Sequence, residues 1–487
     1  MIKYNIENCI DRLYDESRFS GSCFDVYIPE NQEELCEIVQ TFIRKKQCFT
    51  IQGGKTSITG SSVPIDTPII SIENINKKIL YNKANNSIIC ECGVRLSDLK
   101  NFIAKNINGY FFAPNPTEPT ATVSGLISTN ARGTNYIKYG SILDNLLSLK
   151  VLLPNGKIKT FNKGDFIIKS DEIVLPNGSK LTNLNNTNLY SGILGICKNK
   201  DILSLFAGTE GILGIILEAE FKLTKLIENK YGVLFFFRNN KAIDFADTIK
   251  NMHNLDKINL TGLEFFDTNS LDILRSYKSK TSKLKDIPDI DTDYKNAIYV
   301  ELEDDNMDEL ELNLFSILEQ FAIFEGQEND TWAGVGVDEI EKFSLLRHSL
   351  PEAINIIIEE NKRQFPSLTK IACDFKVDSN FRELFNMYNS LLKGKLKYAL
   401  FGHIGDNHLH LNILPTNKTE LDYTNKVIDI LSDFVSKNNG VLAFENGIGK
   451  LKKSLIKKYI NKDYLNNAVK LKEYLDKDYL FNRGNIL

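Results

Sequence analysis

The chain has 487 residues and a formal charge of -4, with 59 Lys and Arg set against 63 Asp and Glu. That length has room for two or three domains and a large buried core, and the matched charges argue against a nucleic-acid partner. The amino-terminal MIKYNIENCIDRLY has no apolar core of signal-peptide length, and no later stretch approaches a membrane span. A cytoplasmic, not membrane-spanning, protein is therefore expected.

In chain order, FDVYIP reads as a strand. NQEELCEIVQTFIRKK reads as a helix with Asn31 and Glu34 placed for a capping box. CFTIQGGKTSITG runs from a strand into a glycine loop, and PIISI, SIICEC and LLSLKVLLP read as strands around a helix at RLSDLKNFIAKN. Residues 162–200 are polar and turn-rich, a surface excursion. LFAGTEGILGIILEAEFKL then reads as the close of a first domain. From about residue 226, YGVLFFF, AIYVELED, LKYALFGH and HLHLNIL alternate with helical segments, which predicts an antiparallel sheet backed by helices. Beyond Leu421 the pattern is mostly helical.

Eight cysteines are scattered without a CxxC pair, which argues against a structural zinc site or a cysteine-bound iron–sulfur cluster. Cys90 and Cys92 alternate in SIICECGV and read as reduced residues on one strand face. Redox chemistry would have to come from a bound organic cofactor or a partner.

Three glycine-rich segments stand out. In QGGKTSITG, residues 52–60, a phosphate loop ending in GKT would need glycine where Phe49 stands, so an ATP site fails on spacing. Consecutive glycines after a strand can still turn N–H groups toward an anion, although a plain tight turn explains them as well. PNPTEPTATVSGLISTNARGTNYIKYG at 114–140 and GTEGILG at 208–214 are similarly small-residue rich. Three such loops in one domain favour a large cofactor.

FGHIGDNHLH, residues 401–410, holds three of the five histidines. The Gly405-Asp406-Asn407 turn folds two strand ends together. His403 and His410 could then share an ion with a distant carboxylate, or be hydrogen-bonded strand histidines.

Together these segments resemble the FAD-linked oxidoreductases of the vanillyl-alcohol oxidase type. The nearest branch is the one with the glycolate oxidase flavin subunit, D-lactate dehydrogenase and D-2-hydroxyglutarate dehydrogenase. The family's pyrophosphate loop matches Gln52, Gly53, Gly54, Lys55, Thr56, Ser57 and Gly60. Its GG-x-IATNAGG…KYG segment is similar to SGLISTNARG at 124–133 and KYG at 138–140, and its G-[ST]-EG-x-LG segment to residues 208–214. The ending FNRGNIL is similar to the family's LNPGKIL. The resemblance implies FAD contacts at those loop residues and at Pro114, Thr120, Ser124, Gly125, Asn130, Tyr139, Gly140, Glu210, Gly211 and Ile215.

The family's GH-x-GDGN-x-H-x-N is similar to the stretch with His403, His410 and Asn412, and its EHGIG to ENGIG at 445–449. A divalent metal (Zn, or Mn or Fe) on His403, His410 and Glu445 is implied. Arg347 matches a substrate-facing arginine, although a surface salt bridge would also suit it. Asn446 stands where the family has a histidine thought to take the substrate's proton, and asparagine cannot be that base. His408 is the candidate replacement, beside a metal-bound water or a purely structural role. Ala372 stands where D-2-hydroxyglutarate enzymes place a lysine, which speaks against assuming that dicarboxylate.

The implied fold is α+β. It has a two-part FAD-binding domain over 1–225, an α+β substrate (cap) domain over 226–420 with the metal-site histidines, and a helical C-terminal segment over 421–487 that completes the active site. The implied reaction is oxidation of a small D-2-hydroxy acid, lactate- or glycolate-like, to the 2-oxo acid. Electrons would pass to an external acceptor such as an electron-transfer flavoprotein or an iron–sulfur protein. The alternative is a flavoprotein electron-transfer subunit whose hydroxy-acid site is altered or inactive.

Overall fold

The computed structural model describes residues 3–5, 7, 9–185 and 188–487; Met1, Ile2, Ile6 and Asn8 of the amino-terminal stretch and Asn186 and Thr187 of the polar excursion lie outside the described residues. The chain forms two compact units. The first is Met1–Arg132, Gly140–Lys225 and Val441–Leu487; the second is Gly133–Tyr139 and Leu226–Gly440. Residues 421–440 thus continue the second unit, and the rest of the helical C-terminal stretch belongs to the first.

In the first unit, a four-stranded sheet runs in the order Lys3–Asn5, Asp25–Tyr27, Ile69–Ser71, Thr50–Gln52. Its last three strands are parallel, joined in part by the helix Gln32–Arg44. That helix starts where expected. The Asn31 side chain accepts from the Glu34 amide at 2.9 Å, and Glu34 accepts in return from the Glu30 amide at 3.1 Å, one residue before the cap. Leu35, Ile38, Val39 and Phe42 recur at helical spacing and pack on the sheet with Phe49, Ile70 and Phe481.

A five-stranded antiparallel sheet follows, ordered Ile79–Asn82, Ser87–Glu91, Ile215–Lys222, Leu146–Leu152, Ile158–Asn162. Cys90 and Cys92 are fully buried there, and burial pushes both thiols far above their ordinary range, as inert core residues require. The excursion carries a two-stranded hairpin, Ile173–Val174 with Lys180–Leu181.

The C-terminal FNRGNIL is sewn into this unit. Phe481 packs on Phe49 with ring centroids 4.8 Å apart. Asn482 accepts from the Ile51 amide at 2.6 Å and donates to the Glu210 carbonyl at 2.8 Å.

The second unit is built on a seven-stranded antiparallel sheet. Its order is Thr331–Val335, Lys230–Phe237, Asn296–Glu303, Leu260–Phe266, Tyr398–Gly402, His410–Ile413, Ile371–Cys373. Leu234 and Phe236 meet one apolar layer that includes Leu346, Leu350 and Ile354 of the long helix Val337–Gln364. Phe235 and Phe237 face the other way, onto Phe245 and Phe321. Helices cover both faces, which is why the strand reads as an unbroken apolar run.

Residues 133–139 are tied to this sheet by buried charge. Asn135 donates to Glu301 at 2.9 Å, Lys138 and Lys230 reach Glu303 at 3.0 and 2.7 Å, and the Tyr139 hydroxyl donates to Glu303.

Candidate functional site

The histidine cluster grows out of strand register in the second unit. Phe401 lies opposite His410, and Gly402 lies opposite Phe265 on the other side. Gly402 has a φ of +123°, and a Cβ there would sit 2.6 Å from the His410 ring. Only glycine lets that imidazole lie against the backbone. The chain then turns through Ile404–Asp406 and a left-handed Asn407, and the His408 amide returns to the His403 carbonyl at 3.1 Å. Lys376 donates to the Asp406 carbonyl at 3.0 Å and pairs with its carboxylate, while Lys250 donates to Asn407 at 2.7 Å. The turn is therefore held from two sides.

The outcome is a triangle of imidazoles. Ring centroids are 5.1 Å apart for His403 and His410, 5.0 Å for His408 and His410, and 5.5 Å for His403 and His408. His403 is 4% exposed and His408 is fully buried. A nitrogen-rich donor set of this kind, with His410 partly buried, suits zinc or a related divalent ion.

Behind His403 stands Glu264, in the strand Leu260–Phe266, every residue of which is buried. Its Oε1 is 2.5 Å from His403 Nδ1, and its Oε2 accepts from Arg347 Nε at 2.7 Å. Burial alone would raise this carboxyl, but its contacts with His403 and Arg347 outweigh burial and hold it well below its ordinary range. Arg347 is buried and its guanidinium carbon lies 4.7 Å from the Phe401 ring centroid, so its ion pair is interior rather than superficial. Asp374 and Lys376 are also buried, and Lys370 donates to Asn355 at 2.8 Å. Ala372 lies opposite Asn412 in the sheet.

Glu445 and Asn446 lie in the first unit, on a loop with two clamps. Glu210 accepts from the Ile448 amide at 2.5 Å and from the Gly449 amide at 2.8 Å. Arg132 donates to the Phe444 carbonyl and stacks 3.6 Å above its ring. Gly449, at φ +54°, would drive a Cβ to within 2.2 Å of the Thr59 carbonyl. GTEG and ENGIG are thus parts of one piece of architecture.

The glycine loops of this unit also meet one another. A Cβ on Gly53 would strike the Thr122 hydroxyl at 2.3 Å, and one on Gly54 the Thr120 carbonyl at 2.4 Å. The segments around 52–57 and 120–125 are therefore in backbone contact, with Ser124 and Gly125 opening the helix Val123–Thr129 beneath the Thr122 cap. Gly60, Gly140 and Gly211 all take left-handed φ angles near +70°. Lys55 is ion-paired to Asp11. Ser57 lies 2.8 Å from Ser61 Oγ, Thr56 is half-buried, Pro114 is buried, and Ile215 opens the strand Ile215–Lys222.

This cradle of glycines and hydroxyls fits a large anionic cofactor. Beside Lys55 and Ser57, other expected side chains also brace protein. Gln52 donates to the Arg12 and Ser62 carbonyls, Asn130 caps a helix and holds the Leu143 amide, and Glu210 clamps the 448–449 amides. Tyr139 belongs to the other unit.

Arg132 and Glu264 escaped the sequence reading. For Glu264 the available signal was a lone acid inside the apolar strand LTGLEFF.

Two family models match the chain: an FAD binding domain over residues 25–162, and the C-terminal domain of FAD linked oxidases over 229–486. The chain is 25% identical to the D-2-hydroxyglutarate–pyruvate transhydrogenase of Saccharomyces cerevisiae, covering 90% of this chain and 81% of that one. It is equally 25% identical to a D-lactate dehydrogenase of Anaerostipes hadrus, covering 90% and 84%. Among solved structures, p-cresol methylhydroxylase matches with a TM-score of 0.71 at 11% identity over 99% of this chain and 92% of that one. Alkyldihydroxyacetonephosphate synthase matches at 0.65 and 16%, over 99% and 81%. These two likenesses establish the fold. No helix among the described residues is long and apolar enough to cross a membrane. The chain belongs to the FAD-linked oxidases.

Proposed function

We propose that this chain oxidises a small D-2-hydroxy acid, of lactate or glycolate size, to the 2-oxo acid and passes the electrons to an external acceptor. An electron-transfer flavoprotein or an iron–sulfur protein would fill that last role, because none of the eight cysteines forms a cluster-binding pair. The observation that carries the reading is the imidazole triangle with Glu264 and Arg347 behind it, in a chain of this family. When bound, FAD accepts the hydride leaving C2, and a divalent ion, Zn, Mn or Fe, adds Lewis acidity toward hydroxyl and carboxylate.

His403, His410 and Glu445 would hold the ion. Arg347 would bind the substrate carboxylate; Glu264 occupies Nε, so the contact would use the η nitrogens. His408, the fully buried third imidazole of the triangle, takes the hydroxyl proton at a ring nitrogen in place of the absent histidine at position 446. The burial of His403 and His408 favours removal of water from the reacting carbon.

Asn446 also favours a second reading, an electron-transfer subunit with an altered or inactive hydroxy-acid site. An anaerobic visible spectrum of the flavin-loaded protein, titrated with D- and L-2-hydroxy acids in the presence of a divalent metal, separates the two. Bleaching by one D-acid supports oxidation. An oxidised band that persists with every acid refutes it and leaves the electron-transfer reading.

A further inference from the structure

A carboxylate inside an all-buried strand needs a reason. Ionised burial carries a desolvation cost that an apolar residue of similar volume would avoid, often with equal or greater stability. Every neighbour in LTGLEFF is buried, and Phe265 and Phe266 pair directly with the strand that ends at Gly402, one residue before His403. Leucine at 264 would satisfy that packing. What leucine could not do is accept two hydrogen bonds at once from groups far apart in sequence. Glu264 accepts from His403 at 2.5 Å with one oxygen and from Arg347 at 2.7 Å with the other.

We propose that Glu264 is the positioning residue of this site: one carboxylate that fixes the tautomer of His403 and the orientation of Arg347 together. This rests on the reading of His403 as a metal ligand and Arg347 as the carboxylate anchor. An acceptor at Nδ1 places the hydrogen there in the neutral ring, which puts the lone pair on Nε2, the nitrogen then available as ligand. The Phe401 ring beside the guanidinium and the Nε contact hold Arg347 in one plane. Ion and substrate carboxylate are thereby set by the same side chain, and a shift of the strand Leu260–Phe266 would disturb both.

The test uses FAD-loaded protein with histidines labelled by 15N, studied at pH 8 without added metal, and then titrated with Zn2+ by calorimetry. His403 is expected as a neutral ring with hydrogen on Nδ1. Glu264→Gln should lose that single tautomer and bind Zn2+ about 10–100-fold more weakly, the usual cost of removing a partner behind a metal ligand. Arg347→Met should leave the tautomer in place.

A His403 tautomer unchanged in Glu264→Gln, a cationic ring in the parent, or equal Zn2+ affinity in both proteins overturns the proposal. If the parent shows the tautomer and the variant loses it, but neither takes up Zn2+ or Mn2+, the ring-orienting role stands and the metal reading fails. Should Glu264→Gln not fold, the double variant Glu264→Gln/Arg347→Met removes both charges and yields the same spectra.

Discussion

Glu210 offers a prediction whose size follows from geometry. Its carboxylate accepts from the Ile448 and Gly449 amides, and the residue is buried. Glu210→Ala strands both amides, at about 1–3 kcal/mol each, so the loss should fall near 2–6 kcal/mol. Glu210→Gln keeps one acceptor oxygen but turns a donor toward the Gly449 amide, and should cost less. The two differ again in pH dependence. Burial raises the Glu210 carboxyl, against the pull of those amides and of Lys450 and Lys452, from 4.5 to about 7. A raised carboxyl means that the folded state holds the proton more tightly than the unfolded state. Its contribution is full below pH 4.5 and is lost as pH rises to about 7, amounting to about 3 kcal/mol at ~1.4 kcal/mol per unit. Urea unfolding of the flavin-loaded protein from pH 4.5 to 8 measures this. The parent should lose stability across that window relative to Glu210→Gln, and the difference should level off above pH 7. Parallel profiles for the two proteins, or an Ala variant as stable as the parent, would refute the clamp.

Gly402→Ala should strain the backbone by about 1–3 kcal/mol and push the His410 ring aside, so melting temperature and metal affinity should fall together; retention of both counts against the packing argument. Arg347→Met leaves Glu264 with one partner, and a cost of about 3–5 kcal/mol should appear in denaturant unfolding, beside a raised KM for the acid. His408→Gln should lower kcat about 10²–10⁴-fold while flavin and metal content stay unchanged, and full activity would exclude it as the proton acceptor. Chelation followed by dialysis should abolish flavin bleaching by the acid, with recovery on adding Zn2+ or Mn2+; bleaching that survives chelation speaks against the ion.

The secondary structure was legible wherever local chemistry decides it. Asn31 caps its helix as its side chain dictates, and the run VLFFF forms a strand buried on both faces. The histidine turn was legible from Gly405 and Asn407, whose backbone preferences are local. Glu264 was not, because its meaning depends on His403, 139 positions away, arriving beside it through strand pairing. Side-chain duties at Gln52, Asn130 and Tyr139 escaped for the same reason, since motif matching marks a segment but not which of its atoms are spent on holding the fold. Arg132 departs from the resembled segment, and its purpose appears only once Phe444 is folded beneath it.

The discontinuity of the first unit bears on how the molecule is made. Its sheet strand Thr50–Gln52 emerges early in synthesis, yet the Phe49 ring and the Ile51 amide wait for Phe481 and Asn482. Residues 226–440 lie between these partners, so nearly all of the second unit can fold on the ribosome while the first remains unfinished. Completion of the first unit is then a late event, and a nascent chain stalled short of residue 481 should be unable to retain flavin.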